Sequence, residues 1–225
     1  MHAVLYIHGS GGSAGESERY KPFFPGCRVT GLDYRSFTPW ETGKEIREAA
    51  EALKREHGRL TLIANSIGAF FSMHSGIESL VHRAFFISPV VDMEKLICQR
   101  MARAGVTEQA LREQGVIPVS FGEDLSWEYL CWVRTHPVRW DVPTEILYGG
   151  QDSLTSYETI SAFAGRHGAG LTVMEDGEHW FHTDRQLRFL DDWLSRFTAA
   201  PFGGSGDPAH DPAEAPSGDG LALYQ

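Results

Sequence analysis

Leu60-Thr61-Leu62-Ile63-Ala64-Asn65-Ser66-Ile67-Gly68-Ala69 is a short apolar run, then a serine among small residues, then a helical pattern reaching to about Leu80. A serine hydroxyl is a weak nucleophile and needs to be held clear of regular structure beside a base. A tight strand-to-helix turn does this, provided the residues two before and two after the serine are small. The usual pattern is G-x-S-x-G. Here Ala64 stands at the first glycine position and Gly68 at the second. Read alone, A-N-S-I-G fits equally well a serine that caps a helix after a buried strand. The decision rests on what the chain places at its other strand ends.

Before this stretch, Ala3-Val4-Leu5-Tyr6-Ile7 is long and apolar enough for a strand buried on both faces. It runs into His8-Gly9-Ser10-Gly11-Gly12-Ser13, a loop able to turn backbone N–H groups toward an anion. Neither G-x-x-x-x-G-K-[ST] nor G-x-G-x-x-G is present, so a nucleotide cradle is not indicated. Arg28 to Tyr34 is a second, less apolar strand, suited to an edge. Thr42 and Glu45 have capping-box spacing and open a helix to about His57, which Gly58 stops.

After the serine, Arg83 to Pro89 is another buried strand. Thr144 to Tyr148 is the next and leads into Gly149-Gly150-Gln151-Asp152. A helix follows, opened by Thr155 with Glu158 and running to about His167. Leu171 to Met174 is the last strand and leads into Glu175-Asp176-Gly177-Glu178-His179. Thr183 with Gln186 caps the final helix, with Leu187, Leu190, Leu194 and Phe197 on one face. Strands alternating with helices imply a parallel sheet covered on both sides. Ligands of such sheets bind beyond the carboxyl ends of the strands. His8-Gly9-Ser10, Ser66, Asp152 and His179 all follow strand ends, and that coincidence favours the chemical reading of Ser66.

Val91 to Val142 interrupts the alternation with short amphipathic helices at about Met93–Ala104, Thr107–Gln114 and Leu125–Arg134. Trp127, Tyr129 and Trp132 in the last are candidate substrate-binding residues, although aromatic residues at this spacing also suit packing. A helical excursion between two core strands has the form of a lid.

These residues resemble the α/β-hydrolase superfamily from Val4 to about Phe197, in particular the small bacterial serine hydrolases and esterases. The order Ser…Asp…His, the H-G-x-G-G loop and the G-x-D and G-x-H turns carry the resemblance. It implies a six-stranded parallel sheet in the order 2-1-3-4-5-6, with the helical lid, about 91–142, between the fourth and fifth strands. It implies Ser66 as nucleophile, His179 as general base and acid, Asp152 as orienting carboxylate, and the N–H groups of Ser10 and Ile67 as oxyanion donors. His182 is the rival to His179, and Glu145 a weaker rival to Asp152. Asp176 and Glu178 belong to a solvated loop, His8 braces the oxyanion loop, and Asp33 either lines the site or stabilises its own loop.

Among 225 residues, 42% are hydrophobic and 22% charged, the balance of one soluble domain with a sizeable core. The net charge of −10 argues against nucleic acid or an anionic membrane as partner. Cys27, Cys98 and Cys131 are odd in number and widely spaced, which gives neither a disulfide framework nor a metal knuckle. The expectation is a cytoplasmic enzyme without leader, cofactor or metal, cleaving a small-molecule ester, thioester or related acyl bond. The alternative is a ligand-binding or receptor-like protein on the same fold. From residue 199 onward Pro, Gly, Ala and Asp dominate, which reads as a disordered tail. Truncation after Phe197 is therefore expected to leave melting temperature and activity nearly unchanged. A fall of several degrees would show that Phe202 or Leu221-Ala222-Leu223-Tyr224 docks on the body.

Overall fold

Successive residues of a strand point to opposite faces of its sheet, so a strand apolar at every position needs cover on both sides. That cover is present in the computed structural model, which describes residues 2–198. The tail expected beyond residue 198 lies outside the described residues. In chain order the elements are β1 (His2–Ile7), a 3-10 helix (Ala14–Phe23), β2 (Arg28–Leu32), α1 (Pro39–His57), β3 (Arg59–Asn65), α2 (Ile67–Met73) and β4 (Val81–Ile87). There follow α3 (Met93–Ala104), α4 (Glu108–Gln114), β5 (Val116–Ile117), β6 (Leu125–Ser126), α5 (Trp127–Thr135), β7 (Thr144–Gly149), α6 (Tyr157–His167), β8 (Gly170–Met174) and α7 (Asp184–Thr198). The main sheet has six parallel strands in the order β2-β1-β3-β4-β7-β8. This is the α/β-hydrolase-type sheet expected from the sequence, with β2 at an edge.

Leu5, Ile7, Leu62, Ala64 and Phe86 face one core, shared with α1, α2, α3 and α6. Their neighbours Val4, Tyr6, Ile63, Phe85 and Ile87 face the other, closed by the 3-10 helix and α7. Trp193 of α7 is fully buried there, edge-on to Phe85 at 5.8 Å between ring centroids. The 91–142 segment leaves the sheet after β4 and returns at β7, the fifth strand of the main sheet. It holds α3, α4 and α5, as expected, plus the antiparallel ribbon of β5 and β6. Two-residue strands carry no usable period, so the ribbon could not be read from sequence.

Three helix boundaries differ from expectation. α1 begins at Pro39 rather than at Thr42, with Thr38 at its N-cap and the Thr38 hydroxyl donating to the Glu41 carboxylate at 2.8 Å. Proline at the first helical position fits there, and Thr42 instead donates to the carbonyl of Ser36 at 2.6 Å. Ser156 rather than Thr155 caps α6, accepting from the Thr159 N–H. α2 ends at Met73, well short of Leu80, and Gly76 turns the chain at φ +66°. The capping box at Thr183 and Gln186 forms as expected, with reciprocal bonds of 3.3 Å.

Gly68 sits where α2 crosses the end of β1. A Cβ there would lie 2.4 Å from the carbonyl oxygen of His8 and 2.7 Å from that of Ile7, both backbone atoms. Gly68→Ala is therefore expected to cost about 2 kcal/mol, a fall of roughly 4–8 °C in Tm. Gly165→Ala, in open space on α6, should instead stabilise by about 0.5–1 kcal/mol. Equal effects of the two changes would contradict the close approach at Gly68.

Candidate active site

Ser66 occupies a backbone conformation that serine rarely adopts, φ 51° and ψ −121°. Such conformations cost about 1–3 kcal/mol and persist only where the surroundings impose them. Here the Ser66 N–H donates to the carbonyl of Ile87 at 3.0 Å, and the Ser66 carbonyl accepts from Val90 at 3.1 Å and Ala69 at 3.2 Å. Those bonds tie the turn to β4 and to the start of α2. The Cβ of Ala64, fully buried, is accommodated where the pattern usually has glycine.

The strained turn lifts the Ser66 side chain toward His179, with Oγ 2.8 Å from Nε2. Nδ1 of the same ring lies 2.7 Å from Oδ2 of Asp152. A carboxylate only accepts, so Nδ1 carries the proton and Nε2 is left to accept from Ser66. The Asp152 side chain is fully buried, and its other oxygen accepts from the N–H groups of Leu154 at 2.7 Å and Thr155 at 3.0 Å. Three donors thus satisfy a buried charge that would otherwise be expensive.

The turn carrying His179 is pressed onto the turn carrying Asp152. A Cβ on Gly149 would lie 2.4 Å from the Glu178 carbonyl, and one on Gly150 would lie 2.5 Å from that of Glu175. Gly150 N–H donates to Met174 and Gln151 N–H to Gly177, each at 2.8 Å. His182 lies apart from Ser66, its Nδ1 2.8 Å from the Trp180 carbonyl and 3.3 Å from Glu178. Glu145 is in β7, paired with Gly170 at the far end of that strand from Asp152.

The glycine-rich loop packs directly against the elbow, since a Cβ on Gly9 would lie 3.1 Å from the Cβ of Ser66. His8 stacks on Tyr34 at 4.1 Å, and the Tyr34 hydroxyl donates to the His8 carbonyl at 2.9 Å. Asp33 accepts from the Ala14 N–H at 2.6 Å, stabilising its own loop. Ile67 is the first residue of α2, where an N–H has no intrahelical acceptor. Neither that N–H nor the N–H of Ser10 has an acceptor among the described residues.

The 91–142 segment reaches the same edge. Ser10 Oγ donates to Glu123 at 2.7 Å, and Arg100 of α3 holds the other Glu123 oxygen at 2.6 Å. Burial alone would push the Glu123 carboxyl up, but its bonds to Ser10 and Arg100 outweigh this and hold it below the ordinary glutamate value. A small cavity of about 30 Å³ lies behind, walled by Ile67, Phe37, Met93, Ile97 and Leu125. Tyr129 lines it; Trp127 and Trp132 do not. Trp127 borders a surface cleft with Glu108 and Arg112, and Trp132 stacks on His136 at 4.2 Å. The Arg100–Glu123–Ser10 link and Phe37 were missed in the sequence, because they come from segments with no period or motif. No group of side chains suited to a metal ion occurs among the described residues, and no described helix is long and apolar enough to cross a membrane.

A hydrogen-bonded Ser–His–Asp chain at the carboxyl edge of a parallel sheet defines a class, and the family comparison agrees. Residues 4–193 match the model of the alpha/beta hydrolase family. The chain belongs to that family. Among solved structures it is similar to Est1E from Butyrivibrio proteoclasticus, at 17% identity and a TM-score of 0.70, over 88% of this chain and 86% of that one. It is also similar to alpha/beta hydrolase domain-containing protein 10 from mouse, at 13% identity and a TM-score of 0.60, over 87% and 90% of the two chains. An esterase from Pyrococcus furiosus matches at 17% identity and a TM-score of 0.54, over 87% and 79%. No curated protein matches.

Because the strain at Ser66 is imposed by its surroundings, glycine should relieve it. Ser66→Gly is expected to raise stability by about 1 kcal/mol in denaturant unfolding, even though the bond to His179 is lost. A loss of stability on this change would show that the turn is not strained.

Proposed function

We propose that the protein is a serine hydrolase that cleaves a small ester, thioester or related acyl bond through an acyl-enzyme on Ser66. The observation that carries this reading is the continuous chain Ser66 Oγ–His179 Nε2, His179 Nδ1–Asp152. Its geometry suits each step. His179 takes the Ser66 proton as Oγ attacks the acyl carbon, then gives that proton to the departing alcohol or thiol. Asp152 holds the ring in the tautomer that accepts from serine and faces the imidazolium when it forms. In this reading the N–H groups of Ser10 and Ile67, which have no acceptor among the described residues, meet the oxyanion, where losing one donor typically costs about 3 kcal/mol. Water then attacks the acyl-enzyme with His179 again as base, and Ser66 recovers its proton. Support from the similar structures is of the same kind. One is an esterase by name, and Est1E is described with ferulic acid bound. The 91–142 segment acts as the lid in this reading, and the cavity beside Ile67 takes the acyl group. Tyr129 is its aromatic contact, while Trp127 and Trp132 support the lid.

Ser66→Ala and His179→Ala are each expected to lower kcat about a millionfold, with the double variant no worse than either, because the two groups act as a unit. Asp152→Asn should leave more residual rate, since it disturbs the tautomer without removing a reacting group. A fluorophosphonate should add one mass increment, on the peptide containing Ser66. Labelling at Ser10 or Ser88, or His182→Ala proving as damaging as His179→Ala, would overturn the assignment.

A further inference from the structure

The Tyr129 hydroxyl is buried and has no hydrogen-bond partner. Nearly all buried polar side-chain atoms are bonded, and leaving one unpaired costs as much as or more than a typical hydrogen bond gains. Tyr129 is one of several residues with such an atom among the described residues, and it lines the cavity beside Ile67. The ring is held rather than loose: the Tyr129 N–H is tied to the Ser126 side chain at 3.2 Å, and Trp40 of α1 meets the ring edge-on at 5.9 Å. Burial, then the nearby Glu123 carboxylate, push its pKa upward, so the group is a neutral hydroxyl able to donate and accept. Glu123 and Arg100 of the same wall are already engaged with each other, and Glu123 with Ser10. Asp124 and Ser126 also line the wall, but Asp124 accepts from the Val119 N–H at 3.4 Å and Ser126 from the Tyr129 N–H at 3.2 Å, and Phe37, Met93, Ile97 and Leu125 offer no side-chain hydrogen bond.

The cavity is small. A volume of about 30 Å³ admits roughly two or three water-sized groups. Ile67, whose N–H is the proposed oxyanion donor, lines it, and in that reading a group bound there belongs to the acyl side of the scissile bond. We propose that Tyr129 is a specificity-determining residue whose hydroxyl pairs with the hydroxyl of a short hydroxyacyl group lodged in this cavity. The phenol then gains a partner in a small space whose other polar side chains are already engaged. The energetic logic follows from the same burial. A site with a buried polar group rejects the hydrocarbon analogue because that analogue leaves the group unpaired.

The proposal rests on the acyl-enzyme reading of Ser66, and the test separates the two. Wild type and Tyr129→Phe are compared on two matched pairs, ethyl lactate with ethyl isobutyrate, and ethyl 3-hydroxybutyrate with ethyl 3-methylbutyrate. In each pair a hydroxyl replaces a methyl of similar size. Each ester is also used as a competitor of fluorophosphonate labelling, so a preference is read even where turnover is slow. Wild type should favour the hydroxyacyl member of at least one pair by about tenfold or more in kcat/KM or in protection. In Tyr129→Phe that ratio should fall to near one, while Tm stays level or rises because the orphaned hydroxyl is gone. Equal ratios in the two proteins, or a wild-type preference for the hydrocarbon esters, with Ser66 still labelled, would overturn the role of Tyr129 alone. Absence of labelling in wild type would overturn the Ser66 reading and this proposal with it.

Discussion

The arrangement depends on the backbone of Ser66, held at φ 51° and ψ −121°. No local preference produces that conformation; it is sustained by bonds to Ile87 and Val90, which belong to the neighbouring strand and the chain just beyond it. β3 and β4 are central strands with β1 and β7 outside them, so the turn is anchored in the least deformable part of the sheet. The strain of about 1–3 kcal/mol is small beside the burial of both sheet faces, and it is offset there. In return the hydroxyl stands clear of the helix that starts one residue later. A looser scaffold would let the turn relax and swing Oγ away from His179.

The other parts of the site are brought to that point by close backbone approaches. Gly9 lets the glycine-rich loop touch the elbow, Gly68 lets α2 cross β1, and Gly149 with Gly150 lets the two turns behind Asp152 and His179 stack. None of these contacts is itself attractive enough to hold the site. Their role is to remove atoms that would hold the chain segments apart, so that the hydrogen bonds at 2.7–2.8 Å among Ser66, His179 and Asp152 form without reorganisation. Preorganisation of this kind is what lets a proton transfer proceed without waiting on solvent.

The 91–142 segment packs Met93, Leu96, Ile97, Leu125 and Leu130 into the same core as Leu5, Ile7, Leu62 and Phe86, and it also joins this edge through a polar link. Glu123 joins Ser10 of the oxyanion loop to Arg100 of α3. A partly exposed polar link of this kind adds little beside that packing.

Much of this was legible in the sequence because the features concerned are local. Apolar runs of strand length, Gly58 as a helix stop, the Thr183–Gln186 cap and the small residues around Ser66 each state a short-range constraint. A parallel sheet and the placing of Ser66, Asp152 and His179 at strand ends follow from those, while the order of the six strands came from the family resemblance. Where local signals competed, the reading slipped by a turn: Thr38-Pro39-Trp40-Glu41 and Thr42-Gly43-Lys44-Glu45 both have cap spacing, and only the position of Ser36, which accepts from Thr42, selects the first. Tertiary structure alone decided the rest. It chose His179 over His182 as the ring between Ser66 and Asp152, by stacking the 175–178 turn on Gly149 and Gly150. It separated Tyr129 from Trp127 and Trp132, which share a helix and a residue class but face different neighbours. And it brought Glu123, Arg100 and Ser10 together across the chain, because a contact between side chains far apart in sequence leaves no periodicity for either segment to display.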